Sequence, residues 1–354
     1  MRANKLITSM LVALVTLTAV PIGYANEADR KVKVVTYNMY PGTDFSGVFA
    51  SQTPQELVAE VAEAFNDVNA SNVPERISEI ADQIATSQPD LVGLQEVALW
   101  RYGFPQDPAA AEVVAYDFLQ ILLDQLAARG ASYAAVTVQT NLDAELTGVF
   151  SATSALDIRY TDRVVILART DLKTSELKIE DLAAGTFNTL LPVQLLGTTI
   201  FVPRGWTSVD IKHRGKTYRF VNTHLESFYE PVQWAQAAEL LQGPANTGLP
   251  LILAGDFNSD AAAGMFGYQI LLGGGMSDVW SATNPVVAGF TWPLSDELPS
   301  TLLDPNQRID LVLFRGGLTP AGSDLLGEEP GDITPSGFRP SDHAGVAASF
   351  VLHP

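Results

Sequence analysis

The residues of this chain best suited to chemistry sit in short polar clusters behind apolar runs. The clearest cluster is Leu251-Ile-Leu-Ala-Gly-Asp-Phe-Asn-Ser-Asp260. Leu251 to Ala254 read as a buried strand bounded by Pro250 and Gly255. Asp256 and Asn258 follow at its carboxyl end, where polar groups of layered α/β proteins line ligand crevices. Two residues apart, both side chains can lean to one side of the exit loop. That pairs a carboxylate able to take a proton with an amide able to hold an oxyanion. Asp, Asn and Gly also favour ordinary turns, so the pair gains weight only from partners elsewhere. Four further clusters close predicted strands: Tyr37-Asn38, Gln95-Glu96, Asn222-Thr223-His224 and Ser341-Asp342-His343; Arg308-Ile309-Asp310 opens another. Two of the four histidines fall in these clusters, and the chain has no cysteine. Disulfides, thiolate metal sites and a cysteine nucleophile are therefore excluded. Acids, amides and imidazoles without sulfur suit Mg²⁺, Mn²⁺ or Ca²⁺ better than a closed zinc site.

The elements that must position these residues can be read from apolar periodicity. Lys31–Asn38 alternates as a first strand. Pro54–Phe65 and Pro74–Gln88 predict helices, the second with Ile77, Ile80, Ala81 and Ile84 on one face and Pro89 as its stop. Leu91–Gln95 reads as a strand and Tyr116–Arg129 as a long helix. Further strands are expected at Tyr133–Gln139, Val164–Arg169, Ser208–His213, Tyr218–Thr223, Ile309–Phe314 and Val346–Val351, with a helix at Val232–Gln242. Leu190–Gln194 and Thr198–Val202, around a Leu-Gly pair, suggest a hairpin. Strands and helices alternate without a linker or internal repeat, so one α/β domain over residues 26–354 is the economical reading.

The chain has 354 residues, 47% of them hydrophobic and 9% aromatic, which supports a large core and excludes a disordered protein. Residues 1–25 read as a signal peptide: Arg2 and Lys5, an apolar stretch from Leu6 to Val20, then Gly23-Tyr24-Ala25. The expectation is a protein secreted or delivered to a periplasm, cut near Ala25, without a transmembrane segment, and a monomer. The formal charge of −19 repels polyanions, so no stable nucleic-acid complex is expected, while divalent cations are favoured.

Six motifs occur in a fixed order: TYNM, LQEV, NTHLE, GDFN, GFTW with RIDLVLF, and SDH. With them, Val32 to Val351 resembles the endonuclease/exonuclease/phosphatase (deoxyribonuclease-I-like) superfamily, which includes abasic-site endonucleases, neutral sphingomyelinases and inositol-polyphosphate 5-phosphatases. The resemblance implies a four-layer α/β sandwich: two packed, mixed, mostly antiparallel sheets flanked by helices. Alternation alone does not separate this from a doubly wound parallel sheet. The resemblance also implies Glu96 as the principal metal ligand, assisted by Asn38 and Asp342, with Mg²⁺ expected and Mn²⁺ or Ca²⁺ as alternatives. Asp256 resembles the carboxylate that activates water, with Asn258 as its oxygen-binding partner. His343, held by Asp310, and His224 resemble phosphate-facing imidazoles. Arg163 and Trp292 are candidate substrate contacts, each with a structural alternative: an ion pair for Arg163, a site wall for Trp292. Asp44 is read as loop-capping.

The implied function is a secreted, divalent-metal-dependent phosphoesterase acting on phosphodiester or phosphomonoester bonds. Its substrate, whether nucleic acid, lipid head group or small molecule, is left open between nuclease, sphingomyelinase-type lipase and small-substrate phosphatase. A catalytically inert binding module on the same fold is the reading from another class. The apolar region Gly185–Pro203 is expected to shape access to the site rather than anchor a membrane, because Arg204 is its sole basic neighbour.

Overall fold

In the computed structural model, which describes residues 31–295 and 304–353, the alternating KVKVVTYN segment forms β1 (Lys31–Asn38). The expected signal peptide lies outside the described residues. Helices α1 (Ser46–Ala50), α2 (Pro54–Ala70) and α3 (Val73–Ser87) follow. α2 begins where it does because the Thr53 side chain accepts from the Glu56 N–H while the Glu56 side chain accepts from the Thr53 N–H, and Pro54 brings a preset φ. α3 buries Ile77, Ile80, Ala81 and Ile84 and ends at Gln88 in a left-handed conformation just before Pro89.

Next come β2 (Leu91–Gln95), β3 (Leu99–Gly103), β4 (Val113–Asp117) and α4 (Phe118–Ala128), then the long strands β5 (Tyr133–Ser151) and β6 (Ser154–Arg169). β7 (Leu177–Thr186), β8 (Leu191–Leu195), β9 (Thr198–Val202), β10 (Gly205–His213) and β11 (Lys216–His224) lead to α5 (Glu230–Gln242) and β12 (Leu251–Asp256). The described chain is completed by α6 (Phe266–Gly273), β13 (Ser277–Asp278), α7 (Val279–Thr283), β14 (Asp310–Arg315), β15 (Leu318–Leu326) and β16 (Gly345–Leu352). The expected hairpin is β8–β9. Its turn residues Leu196 and Gly197 both have positive φ, as a tight two-residue hairpin loop requires.

One sheet runs β15-β16-β1-β2-β6-β3-β4, with β5 also on β6; the other runs β13-β14-β12-β11-β10-β7; β8–β9 stands apart. Each large sheet has a single parallel pair, β1–β2 and β11–β12, and all its other pairings are antiparallel. A doubly wound parallel sheet is thereby excluded, and the mixed, mostly antiparallel expectation holds. Three apolar layers account for the stacking. Val34, Ile166, Val209, Phe220, Ile252 and Phe350 pack between the sheets. Val35, Val92 and Val165 point outward onto α3 and α4 through Ile77, Ile80 and Leu122. Val221, Leu253 and Leu313 point outward onto α5 and α6 through Leu240 and Leu271. β12 is apolar on both faces because alternate residues serve two cores, so its apolar run is the run of a central strand. Each such fully buried side chain contributes roughly 1.5–3 kcal/mol, and this burial takes the place of covalent cross-links.

The sheets are stitched together near the site. Asn222 on β11 donates through Nδ2 to Leu94 O and Val165 O of the other sheet, both at 3.0 Å. Its Oδ1 accepts from Gln95 Nε2 at 2.6 Å. Gly93 is required beneath this contact, since a Cβ there would lie 2.7 Å from Asn222 Oδ1. Gln95 and Asn222, each inside a polar strand-end cluster, are therefore inter-sheet struts.

Candidate active site

A parallel pair delivers two carboxyl ends to one edge, and the two sheets bring such edges together. In the second sheet, register places His224 beside Asp256 and Asp256 beside Asp310. In the first sheet, Asn38 pairs with Gln95, so Glu96 is the next residue out. The two rows are joined where Asn38 Nδ2 donates to Asp256 Oδ2 at 3.0 Å. Asp256 Oδ1 accepts from the Asn258 N–H at 2.9 Å. Burial, then the charge of Asp310, push the Asp256 pKa up to about 7, against the pull of His343 and the two hydrogen bonds. A carboxyl group so placed exchanges a proton near neutrality.

Two imidazoles flank this carboxylate, with Nε2 of His224 3.5 Å and Nε2 of His343 3.9 Å from Asp256 Oδ2. Their surroundings hold them in opposite charge states. His343 Nδ1 lies 2.8 Å from Asp310 Oδ2. Burial alone would lower the His343 pKa, but the carboxylates of Asp310, Asp342 and Asp256 outweigh it and hold the ring charged, well above its usual range. His224 Nδ1 lies 3.2 Å from Arg204 Nη1. A guanidinium only donates, so Nδ1 is the acceptor and the ring proton sits on Nε2. Burial, helped by the positive charges of Arg204 and His343, keeps His224 neutral.

Glu96 leaves β2 with a positive φ of 53° and lines the cleft. Burial, then the charge of Asp342, push its pKa up to about 8, against the pull of His343 and Arg204. Burial raises Asp342 as well. Two crowded carboxylates with oxygen-only donors fit a hard divalent cation, whose charge would relieve their repulsion. Asp256, Asp310 and His343 also offer ligand atoms within 4.8 Å of one another, but His343 Nδ1 and Asp310 Oδ2 already pair with each other at 2.8 Å. Glu96 with Asp342 is the better fit. Asn38, expected to assist at the metal, accepts the Tyr40 N–H through Oδ1 at 3.0 Å, which leaves that oxygen a second lone pair, while its Nδ2 clamps Asp256. Asn258 is tied through Nδ2 to Leu225 O at 2.9 Å and keeps a second N–H for an oxygen in the cleft.

The structure brings Glu96, His224, Asp256, Asn258, Trp292, Asp342 and His343 to one cleft of about 1070 Å³. Trp292 forms wall, its Nε1 3.4 Å from Asp342 Oδ2 and its ring 6.4 Å from that of His343. Asp44 caps its own loop through Ser46, as read from the sequence. Arg163 does not reach the cleft. Its guanidinium donates to Val97 O, Ala98 O and Asp117, which braces the turn after Glu96 and the start of α4. The cleft arginine is instead Arg204, between His224, Glu226 at 3.6 Å and Asp162 at 4.0 Å. Its sequence signal was thin: a lone basic residue closing an apolar stretch just before the strands that lead to NTHLE. Arg76 left still less trace. It lies within the polar spacing of an ordinary amphipathic helix, yet it is buried and donates to Ser71 O, Met39 O, Tyr40 O and Pro340 O.

Residues 64–343 match the family model described as Endonuclease/Exonuclease/phosphatase family. No curated protein matches the sequence. Among solved structures, an endonuclease/exonuclease/phosphatase family protein from Bacteroides thetaiotaomicron superposes with a TM-score of 0.56 at 17% identity, covering 91% of this chain and 95% of its own. A mannosyl-6-phosphatase from Bacteroides thetaiotaomicron gives 0.54 at 17%, covering 91% and 100%. The human nocturnin catalytic domain gives 0.53 at 18%, covering 92% and 95%. At these identities the likeness is one of fold.

Proposed function

The chain belongs to the endonuclease/exonuclease/phosphatase family, and from that premise we propose that it is a divalent-metal-dependent phosphoesterase that hydrolyses a phosphodiester or phosphomonoester. One observation carries the reading: Asp256 is clamped by Asn38 and flanked by one charged and one neutral imidazole, beside the open Glu96–Asp342 pair. Family members are typically phosphoester hydrolases, and one relative in fold is a mannosyl-6-phosphatase. An inert binding module would have no need to lift a buried carboxyl toward neutrality or to hold two histidines in opposite states.

In this mechanism Asp256 takes a proton from water as the new P–O bond forms and the bond to the leaving oxygen breaks. His343 donates a charged N–H to a phosphoryl oxygen, and His224 donates a neutral one from Nε2. Asn258 supplies a further N–H. A divalent cation held by Glu96 with Asp342 would neutralise charge on the phosphoryl group. Mg²⁺ or Mn²⁺ fits these oxygen donors. We further place the enzyme outside the cytoplasm, on the signal-like residues 1–25.

The test is hydrolysis of phosphate mono- and diesters with Mg²⁺, Mn²⁺ or chelator, alongside calorimetric titration of cation into the wild type and Glu96→Gln. Chelation should abolish turnover, and the variant should bind cation at least about tenfold more weakly without unfolding. Cation binding unchanged in Glu96→Gln would remove Glu96 from its role.

A further inference from the structure

Only part of the cleft lining is acid, amide and imidazole. Another part is apolar and includes Phe45, Phe49, Leu142, Leu191, Val202 and Phe228. Ring contacts and one helix–strand contact tie parts of this lining together. Phe49 and Phe228 meet edge to face with centroids 5.9 Å apart, and Phe45 lies 4.8 Å from Tyr160, another lining residue. α1, which carries Phe49, packs on β8, which carries Leu191. Phe228 remains 57% exposed. A volume of about 1070 Å³ far exceeds what a single phosphoryl group needs and suits a drug-sized ligand.

The charges in the cleft narrow its occupant. Among the described lining residues Arg204 is the sole lysine or arginine, and it already faces Asp162, Glu226 and His224. Asp44, Glu96, Asp162, Glu230, Asp256 and Asp342 line the same space. A substrate with several phosphates needs a cationic partner for each one it buries. Here one hydrolytic centre is available, and the surface beside it is hydrocarbon.

We propose that the substrate carries one phosphoryl group and a large apolar substituent, seated against Phe45, Phe49, Leu142, Leu191, Val202 and Phe228, and that esters bearing further phosphates are rejected by charge. This rests on the phosphoesterase reading above. It names the chemistry that reading left open.

The test holds the leaving group constant. p-Nitrophenyl phosphodiesters with methyl, phenyl, octyl or 4-phosphobutyl as the second substituent are assayed with Mg²⁺ or Mn²⁺. The phenyl or octyl ester should exceed the methyl ester at least about tenfold in kcat/KM, mostly through KM, the effect of burying roughly two methylenes. Preference for phenyl identifies an aromatic group and preference for octyl an alkyl chain; either supports the proposal. The 4-phosphobutyl ester should fall below methyl. In Phe228→Ala, and in Phe49→Ala with Phe228→Ala, the apolar-to-methyl ratio should collapse to within about threefold. A reading without turnover comes from calorimetry, where octyl phosphate should bind at least about tenfold tighter than methyl phosphate. Equal handling of methyl, phenyl and octyl, or preference for 4-phosphobutyl, overturns the proposal and leaves the phosphoesterase reading standing. No turnover of any of these diesters, nor of the monoesters p-nitrophenyl phosphate and octyl phosphate, removes that reading, and this proposal with it.

Discussion

In the proposed mechanism Asp256, His343 and Asp310 act as a unit, and their substitution should show it. Asp256→Asn removes the proton acceptor and His343→Ala removes a charged donor to the same phosphoryl group. Each should lower kcat by about 10²- to 10⁴-fold, and the double variant little further, because both serve one transition state. Full additivity would mean separate sites. Asp310→Asn tests the origin of the imidazolium. Asp310 helps hold the His343 pKa well above its usual value, so charged His343 persists as pH rises until that raised pKa is passed. Loss of the carboxylate lowers the pKa, the charge disappears at lower pH, and the alkaline limb of the kcat profile should move acidward. An unmoved limb would show that another group sets it.

The strand ends that carry the site were legible because strand period, apolar run and polar terminus coincide in β1, β2, β11 and β12. The ribbon β5–β6 was not: beyond Gln139, and before Val164, its residues are largely half-exposed and polar. What extends it is pairing between its own strands, a non-local cause that single-strand periodicity cannot register. Of the two readings of Arg163, substrate contact or ion pair, the motif could not choose, since the turn at Val97 and Ala98 and the α4 cap Asp117 that engage it lie outside it. On the ribbon, Asp143 accepts from both Arg159 and Arg101. The Arg159 hydrogen bonds hold its carboxyl below the usual range, with burial opposing. A depressed folded pKa stabilises above the unfolded value of about 4 and ceases to do so as pH falls through the folded one. Asp143→Asn should therefore destabilise at neutral pH by about 1 kcal/mol at most, given solvent screening, and the gap to wild type should close in acid. Denaturant titrations at several pH values read this directly; a gap constant with pH would refute the linkage. Arg76 poses a stiffer test, because it ties the loop after β1 to Pro340, two residues before Asp342, without a carboxylate partner. Arg76→Met strands several carbonyls and should cost about 3 kcal/mol or more. Arg76→Lys should retain more stability yet lower kcat, since an ammonium cannot reproduce the fork that joins Met39 and Tyr40 to Pro340. A lysine variant with wild-type kcat would make Arg76 a fold residue alone.

Taken whole, the molecule sets a strongly acidic body against an apolar hairpin. Phe201 on β9 is 60% exposed and Leu196 at its turn 38%, while Leu191 and Val202 at the base reach the cleft. Among the described residues no helix is long and apolar enough to cross a membrane. Adsorption through the hairpin would bring the net charge of −19 to the surface, and each basic residue at an anionic bilayer supplies only about 1 kcal/mol. Arg204 is the nearest such residue in sequence, and Asp162, Glu226 and His224 already engage it. Two exposed apolar side chains cannot offset that repulsion. The protein should stay in the supernatant with anionic vesicles at about 0.1 M salt, where the screening length of about 10 Å still leaves near-surface repulsion. Shortening the hairpin between Pro192 and Pro203 should leave this unchanged, while altering preference among esters through loss of Val202. Vesicle co-sedimentation that vanishes on the same deletion would reverse the assignment, making the hairpin a membrane contact and its apolar tip the means by which the cleft reaches a lipid substrate.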